Sequence, residues 1–186
     1  LGLKQAAYLQ IGYDTDRYYE CDPHPASGLP HNRAGTVIIA NVHGRVDCAT
    51  DENGMQVRKD AIAALHAAGH RVAVYGGGWS TREGGRPTPQ AETGDIYRHA
   101  LRALSISNVN TFQRYTSDRL FRALACGPAV YVKRFPDSAG LGLIDGENCV
   151  LWGTHEELLD KMRVPEEALR YIGTQGAKLA REKHTW

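Results

Sequence analysis

The residues best suited to chemistry lie between Asn108 and Arg122, where Asn108, Asn110, Thr116 and Ser117 are interleaved with Arg114, Arg119 and Arg122. Amides and hydroxyls followed by three guanidinium groups, just ahead of an apolar run, form a pattern that can hold an anion at a helix N-terminus. The free N–H groups of a first turn and the helix dipole favour negative charge there, and arginine adds charge-assisted bonds to a phosphate. A diphosphate fits this description. Asp118, a carboxylate in the same first turn, works against it. The same residues also suit an ordinary capped helix with solvated arginines.

A second group is Gly76-Gly77-Gly78-Trp79, next to Tyr75. It does not complete GxGxxG, since the third glycine position holds Thr81, so the dinucleotide fingerprint is absent. The glycines still admit a ligand's base or sugar close to backbone, with Tyr75 or Trp79 as a stacking face; a tight turn with a packed Trp is the plainer alternative. A third group follows the first apolar run: Asn41 and Arg45, then Arg58 and Lys59, which can approach the same crevice or stand solvated. Asp137, Asp145 and Glu147 lie in loops, where they either meet sugar hydroxyls or face water.

Other chemistries lack their residues. There is no GxxxxGK[ST] phosphate loop, no HExxH and no GxSxG elbow. Cys126 sits in an apolar helix end, which does not suit a nucleophile. The cysteines Cys21, Cys48, Cys126 and Cys149 form no CxxC pair. The expectation is no metal site and no cofactor.

These groups need elements to position them. Thr36-Val-Ile-Ile-Ala-Asn-Val42 reads as a buried parallel strand. Residues 55–68 place Val57, Ala61, Ala64, Leu65 and Ala68 at helical spacing, with Gly69 as the stop. Arg71 to Tyr75 predicts a second strand, Ile96 to Leu104 a short helix, and Leu104 to Ser107 a third strand. Ser117 caps a helix carrying Leu120, Phe121 and Leu124, stopped by Gly127 and Pro128. Ala129 to Lys133 and Asn148 to Trp152 are strands four and five. Thr154-His-Glu-Glu157 is a capping box opening a helix through Met162, and Pro165 opens the last helix, to about Lys183.

Strands alternating with helices imply right-handed βαβ units. The fold class is therefore α/β, with a Rossmann-like, doubly wound, mainly parallel sheet. Ligands in such sheets bind beyond the strand carboxyl ends, near the switch in strand order. Residues 1–35, with Tyr8, Tyr13, Tyr18 and Tyr19 ahead of a stretch holding three prolines, read as a leading linker segment, and 36–186 as one lobe.

Composition agrees with one domain. The chain has 186 residues with 22 Lys or Arg against 21 Asp or Glu, a formal charge of +1. That excludes a strongly basic nucleic-acid binder. Twenty glycines exceed ordinary usage. No apolar run approaches the roughly 18 residues of a membrane helix, and cysteines packed as small hydrophobes indicate a reducing, cytoplasmic setting. Leu1 and Trp186 give both ends the look of a piece of a longer polypeptide.

The segment from Tyr97 to Trp186 resembles the C-terminal lobe of GT-B glycosyltransferases, in particular the spore-maturation-type family. The resemblance rests on Ser117-Asp-Arg-Leu-Phe-Arg-Ala-Leu-Ala-Cys-Gly-Pro-Ala-Val130, on Asp145-Gly-Glu-Asn-Cys-Val-Leu151 before a Glu-Glu-Leu-Leu helix, and on Ala180-Arg-Glu-Lys-His-Thr-Trp186. Tyr8 to Asp14, and Arg71 to Gly76 with Trp79, are similar to earlier parts of the same family.

The resemblance implies a lobe that binds a nucleotide diphosphate sugar, facing an N-terminal acceptor lobe that this chain lacks. Where many GT-B enzymes place two glutamates eight residues apart, this sequence has Arg114 and Arg122, a departure that turns the site towards phosphate. On this reading Arg114, Arg119 and Arg122 neutralise the leaving diphosphate without a metal. Gly76 to Trp79, with Tyr75, line the base or ribose. Asn108 and Asn110 orient the donor, beside Asn41, Arg45, Arg58, Thr116 and Ser117. The partners expected are the nucleotide sugar, an acceptor that is a glycan, protein, small molecule or modified nucleic acid, and the acceptor lobe. Two rivals are a non-catalytic interaction module on a degenerate lobe and a nucleotide-sugar epimerase of GT-B type.

Overall fold

The structure, a computed structural model, describes residues 35–42, 54–80, 85, 86 and 92–185. Five strands form one parallel sheet: β1 Thr36–Ile39, β2 Val72–Tyr75, β3 Arg102–Ser105, β4 Ala129–Lys133 and β5 Val150–Trp152. Their order is β2-β1-β3-β4-β5. Thr36 lies opposite both Val72 and Arg102, Arg102 opposite Ala129, and Tyr131 opposite Val150. The helices are α1 Gly54–Ala67, α2 Thr93–His99, α3 Asp118–Ala125, α4 His155–Lys161 and α5 Glu166–Lys183.

Both faces of the sheet are covered, so apolar side chains point to both sides of each strand instead of alternating with polar ones. On one face Val37, Ala103, Val130 and Val132 pack with Tyr97 of α2 and Phe121 and Leu124 of α3. On the other, Ile38, Leu104, Tyr131 and Trp152 pack with Ile62 and Leu65 of α1 and Leu158 of α4. Helix α5 serves both: Leu169 and Ile172 join the second cluster, Leu179 and Ala180 the first. Each large apolar side chain buried this way contributes roughly 1.5–3 kcal/mol.

The doubly wound α/β class is thus the observed one. Most expected elements appear within a residue or two, and β4 has the expected bounds. Thr154 caps α4, its hydroxyl accepting from Glu157 N at 3.2 Å. Pro165 stands at the cap of α5 itself, one position before the first turn. Two expectations shift. The helix expected over Ile96 to Leu104 ends at His99, and the strand expected from Leu104 begins at Arg102. In α1 the buried stripe is Gly54, Arg58, Ala61, Ile62 and Leu65, so Ala68 is exposed and Arg58 is inside.

The chain steps from β1 outward to β2, then returns across β1 to β3. The switch in strand order therefore falls between β1 and β3, and the crevice that such sheets use for ligands is expected beyond their carboxyl ends. The leading segment 1–34, Arg45, Cys21 and Cys48 lie outside the described residues.

Candidate functional site at the strand carboxyl ends

The floor of the crevice is built around Arg58. Its guanidinium reaches across the switch point: Nε and Nη2 donate to Ile106 O at 2.9 and 2.8 Å, Nη1 to Asn41 O at 2.8 Å, and Nη2 also to Asn108 Oδ1 at 2.6 Å. One planar fork thus ties the end of β1 to the end of β3, a geometry that lysine cannot copy. The residue is 0% exposed, which overturns solvation as a description of it. Gly54, the first residue of α1, donates to Asn108 O at 3.0 Å. A Cβ there would lie 2.0 Å from Ser107 O, so only glycine lets α1 start this close to β3.

The wall after β3 is locked from within. Asn110 is buried, its Oδ1 accepting from Ser107 N and its Nδ2 donating to Ser107 O, both at 3.2 Å. Ser107 Oγ donates to Thr116 Oγ1 at 3.5 Å and accepts from Ser117 N at 3.3 Å. Ser117 caps α3 as expected, with its hydroxyl making no capping bond. Ser107 and Gly54 were not singled out by sequence reasoning. The one available signal was that Ser107 lies at the carboxyl end of a strand.

The opposite wall follows β2. Gly77 N donates to Asn41 Oδ1 at 2.8 Å, Val42 N to Gly77 O at 2.9 Å, and Trp79 Nε1 to Ala40 O at 2.6 Å. Gly76, at φ 122°, passes Ala40 so closely that a Cβ would sit 2.2 Å from its carbonyl oxygen. Tyr75 and Trp79 do not form one stacking face. Tyr75 packs on the α2 side and lines a cavity of 510 Å³ with Ile96 and His99, whereas Trp79 packs on the α1 side.

The arginines fall into two settings. Arg114 pairs with Asp137, and Arg122 with Asp118 at 2.7 Å, so the carboxylate that opposes an anion is itself neutralised. Arg119 has no ion pair among the described residues and lies within electrostatic reach of Arg58. Burial first, and then the Arg119 cation, pull the Arg58 guanidinium down to about 9, with Tyr115 opposing the shift. Neither cation has a carboxylate partner among the described residues.

Elsewhere the loop acids are structural or solvated. Asp145 accepts from Leu151 N at 2.8 Å and pairs with Lys161 at 2.6 Å, while Glu147 is exposed. Among the described residues, no group of three or more His, Cys, Asp or Glu converges to hold a metal. No helix there is long and apolar enough to cross a membrane. Cys126 and Cys149 are buried and form no disulfide among the described residues, and burial, then Asp145, push the Cys149 thiol up to about 12.

The fold is a Rossmann-like lobe with buried Arg58 tying β1 to β3 at its switch point. The chain belongs to the glycosyl transferase-like family, whose model matches residues 58–186. No curated protein matches it. Among solved structures it is similar to the C-terminal domain of a glycosyl transferase group 1 family protein, LpcC, from Francisella tularensis, at 15% identity and TM-score 0.63, covering 94% of this chain and 99% of that one. It is also similar to sucrose-phosphate synthase from Thermosynechococcus elongatus, at 15% identity and TM-score 0.65, over 95% of this chain and 48% of that one. Anabaena Alr3699/HepE, solved in complex with UDP and glucose, matches at 13% identity and TM-score 0.63, over 94% and 52%. The chain thus spans about half the length of the last two, and its fold is that of a GT-B C-terminal lobe. The narrower spore-maturation likeness rests on the residues quoted above alone.

Proposed function

We propose that this chain is the donor-binding lobe of a glycosyltransferase, and that it receives a nucleoside diphosphate sugar at the corner formed by Arg58, Arg119 and the first turn of α3. The observation that carries this reading is buried Arg58, whose guanidinium bridges Asn41 O after β1 and Ile106 O after β3 at the switch point, within electrostatic reach of Arg119 and with no ion pair to either among the described residues. The complex of HepE with UDP and glucose supports uracil as the first base to try.

In the reaction, the bond between the sugar's anomeric carbon and the diphosphate oxygen breaks and a bond to the acceptor's oxygen forms. The acceptor's proton passes to a base, and the bonding pair leaves with the diphosphate. The arginine corner is set where that charge develops, so it favours the transition state over the ground state, in which the esterified diphosphate carries less negative charge. We read the step as metal-independent for this reason. Arg114 and Arg122 contribute less than Arg119, because their charge is already met by Asp137 and Asp118. Asn41, Asn108, Asn110, Thr116 and Ser117 shape the crevice, and Gly76 with Trp79 forms its β2 wall. An N-terminal acceptor lobe is proposed to complete the enzyme, consistent with the 48% and 52% coverage of two-lobe-length neighbours. Buried thiols outside any disulfide among the described residues support a cytoplasmic setting.

The test is titration of UDP, GDP and ADP into the chain, with and without EDTA, for the native sequence and Arg119→Ala. The expected result is selective, EDTA-insensitive binding that Arg119→Ala weakens by about tenfold or more. Silence towards every nucleoside diphosphate would sink the donor reading and favour a non-catalytic interaction module. Conversion of a nucleotide sugar without acceptor would favour the epimerase.

A further inference from the structure

Among the described residues, two that are not glycine have a left-handed backbone: Arg114 at φ 54° and Asp137 at φ 56°. An L-residue with a full side chain pays roughly 1–2 kcal/mol for that conformation, and it persists where its surroundings over-determine it. These two are each other's partners, Arg114 Nε donating to Asp137 Oδ2 although they stand 23 positions apart. Arg114 N also donates to Pro136 O at 2.9 Å. Gly140, in the 3-10 turn Ser138–Leu141, cradles the pair: a Cβ there would lie 2.7 Å from Arg114 Nε and 2.7 Å from Asp137 Oδ1.

The contact spans two loops at the carboxyl ends of adjacent strands, one after β3 and one after β4. Its β3 side carries Phe112 and Tyr115, exposed and edge-to-face at 6.4 Å, and continues directly into Thr116, Ser117 and α3. If this segment swings, Tyr115 and the first turn of α3, Arg119 included, move relative to Arg58.

We propose that Asp137 is a positioning residue: it clips Arg114, and with it the β3–α3 loop, to the loop after β4, fixing the rim of the donor crevice in its ligand-binding shape. This rests on the donor-lobe reading for the ligand, though not for the clip. It gives Asp137 a role that no local motif signals, and it makes Arg114 a fastener whose charge is met inside the protein.

Two measurements separate these parts. Hydrogen exchange of residues 112–117 needs no ligand: Asp137→Asn and Arg114→Ala should each speed it by about tenfold, with the rest of the sheet unchanged. UDP affinity then reads the consequence. A clip predicts that Asp137→Asn weakens UDP binding by about tenfold, whereas an Asp137 that merely masks a phosphate-binding Arg114 predicts tighter binding. Gly140→Ala crowds the pair while keeping both charges, so it should shift both readouts in the direction of Asp137→Asn. The exchanged pair Arg114→Asp with Asp137→Arg should recover part of the loss. Unchanged exchange in both single variants overturns the clip. Tighter UDP binding in Asp137→Asn overturns the positioning role. Native protein that ignores UDP while the variants still loosen the loop overturns the donor reading and keeps the clip.

Discussion

Two arginine settings share one crevice and behave differently. At the β1–β3 corner, Arg58 is buried in a fork of oxygen acceptors, and Arg119, within its electrostatic reach, has no acidic partner among the described residues. Along the β3–α3 and β4 side, Arg114 and Arg122 each meet a carboxylate. All four looked alike as residue types in the sequence. The difference lies in what neutralises each: a guanidinium already paired has little left for a ligand, while one within the field of another cation gains most from an arriving anion.

The largest expected break in this comparison is Arg58→Ala. It strips Ile106 O, Asn41 O and Asn108 Oδ1 of their donor inside the protein, and should cost about 3 kcal/mol or more in a urea melt. Arg58→Lys should recover only part, since one ammonium cannot span the three acceptors. A melt within error of the native one would show that Arg58 is not the tie between β1 and β3.

Next comes an effect confined to the paired side. His184 is buried, stacked on Phe121 of α3 at 3.8 Å, with Nε2 at 3.1 Å from Leu141 O below the clip loop. Burial, against the pull of the Leu141 carbonyl, holds its imidazole below the ordinary histidine range. The folded state then binds fewer protons than the unfolded one. Its contribution is full above the ordinary value of about 6.5 and is lost as pH falls below it. Stability measured from pH 7.5 to 5 should fall more steeply in the native protein than in His184→Gln, and parallel curves would exclude His184.

The smallest expected effect sharpens the comparison. Asp118→Asn removes the carboxylate that occupies Arg122 and the first turn of α3, so UDP should bind about two- to fivefold more tightly. Weaker binding would mean that the Asp118–Arg122 pair is itself a ligand contact.

How much of this was legible depends on the range of the interaction involved. Ser117, Gly127 and Pro128 announce the ends of α3, and Thr154 with Glu157 announces α4, because capping is a contact between near neighbours. The α2–β3 boundary was misplaced because Ile96, Tyr97, Ala100, Leu101 and Leu104 keep apolar spacing across it. No glycine or proline marks the change, and a parallel strand buried on both faces shows no alternation. Whether Arg58 faces the crevice or water stays open in the sequence, because its acceptors Asn41 O and Ile106 O lie 17 and 48 positions away. The Arg114–Asp137 pair likewise joins loops that only the sheet brings together. The choice of the Asn108–Arg122 segment came from residue types alone, and the division of labour among its arginines came from the fold.

Helix α5 has a consequence of another kind. Because Leu169 and Ile172 belong to one apolar cluster and Leu179 and Ala180 to the other, the helix is a crossbar fastened to both sides of the sheet. A protease nick near its middle, or a pull on the chain's last residues, should therefore loosen α1 and α3 together. The lobe should lose its shape in a single event instead of peeling away one layer at a time.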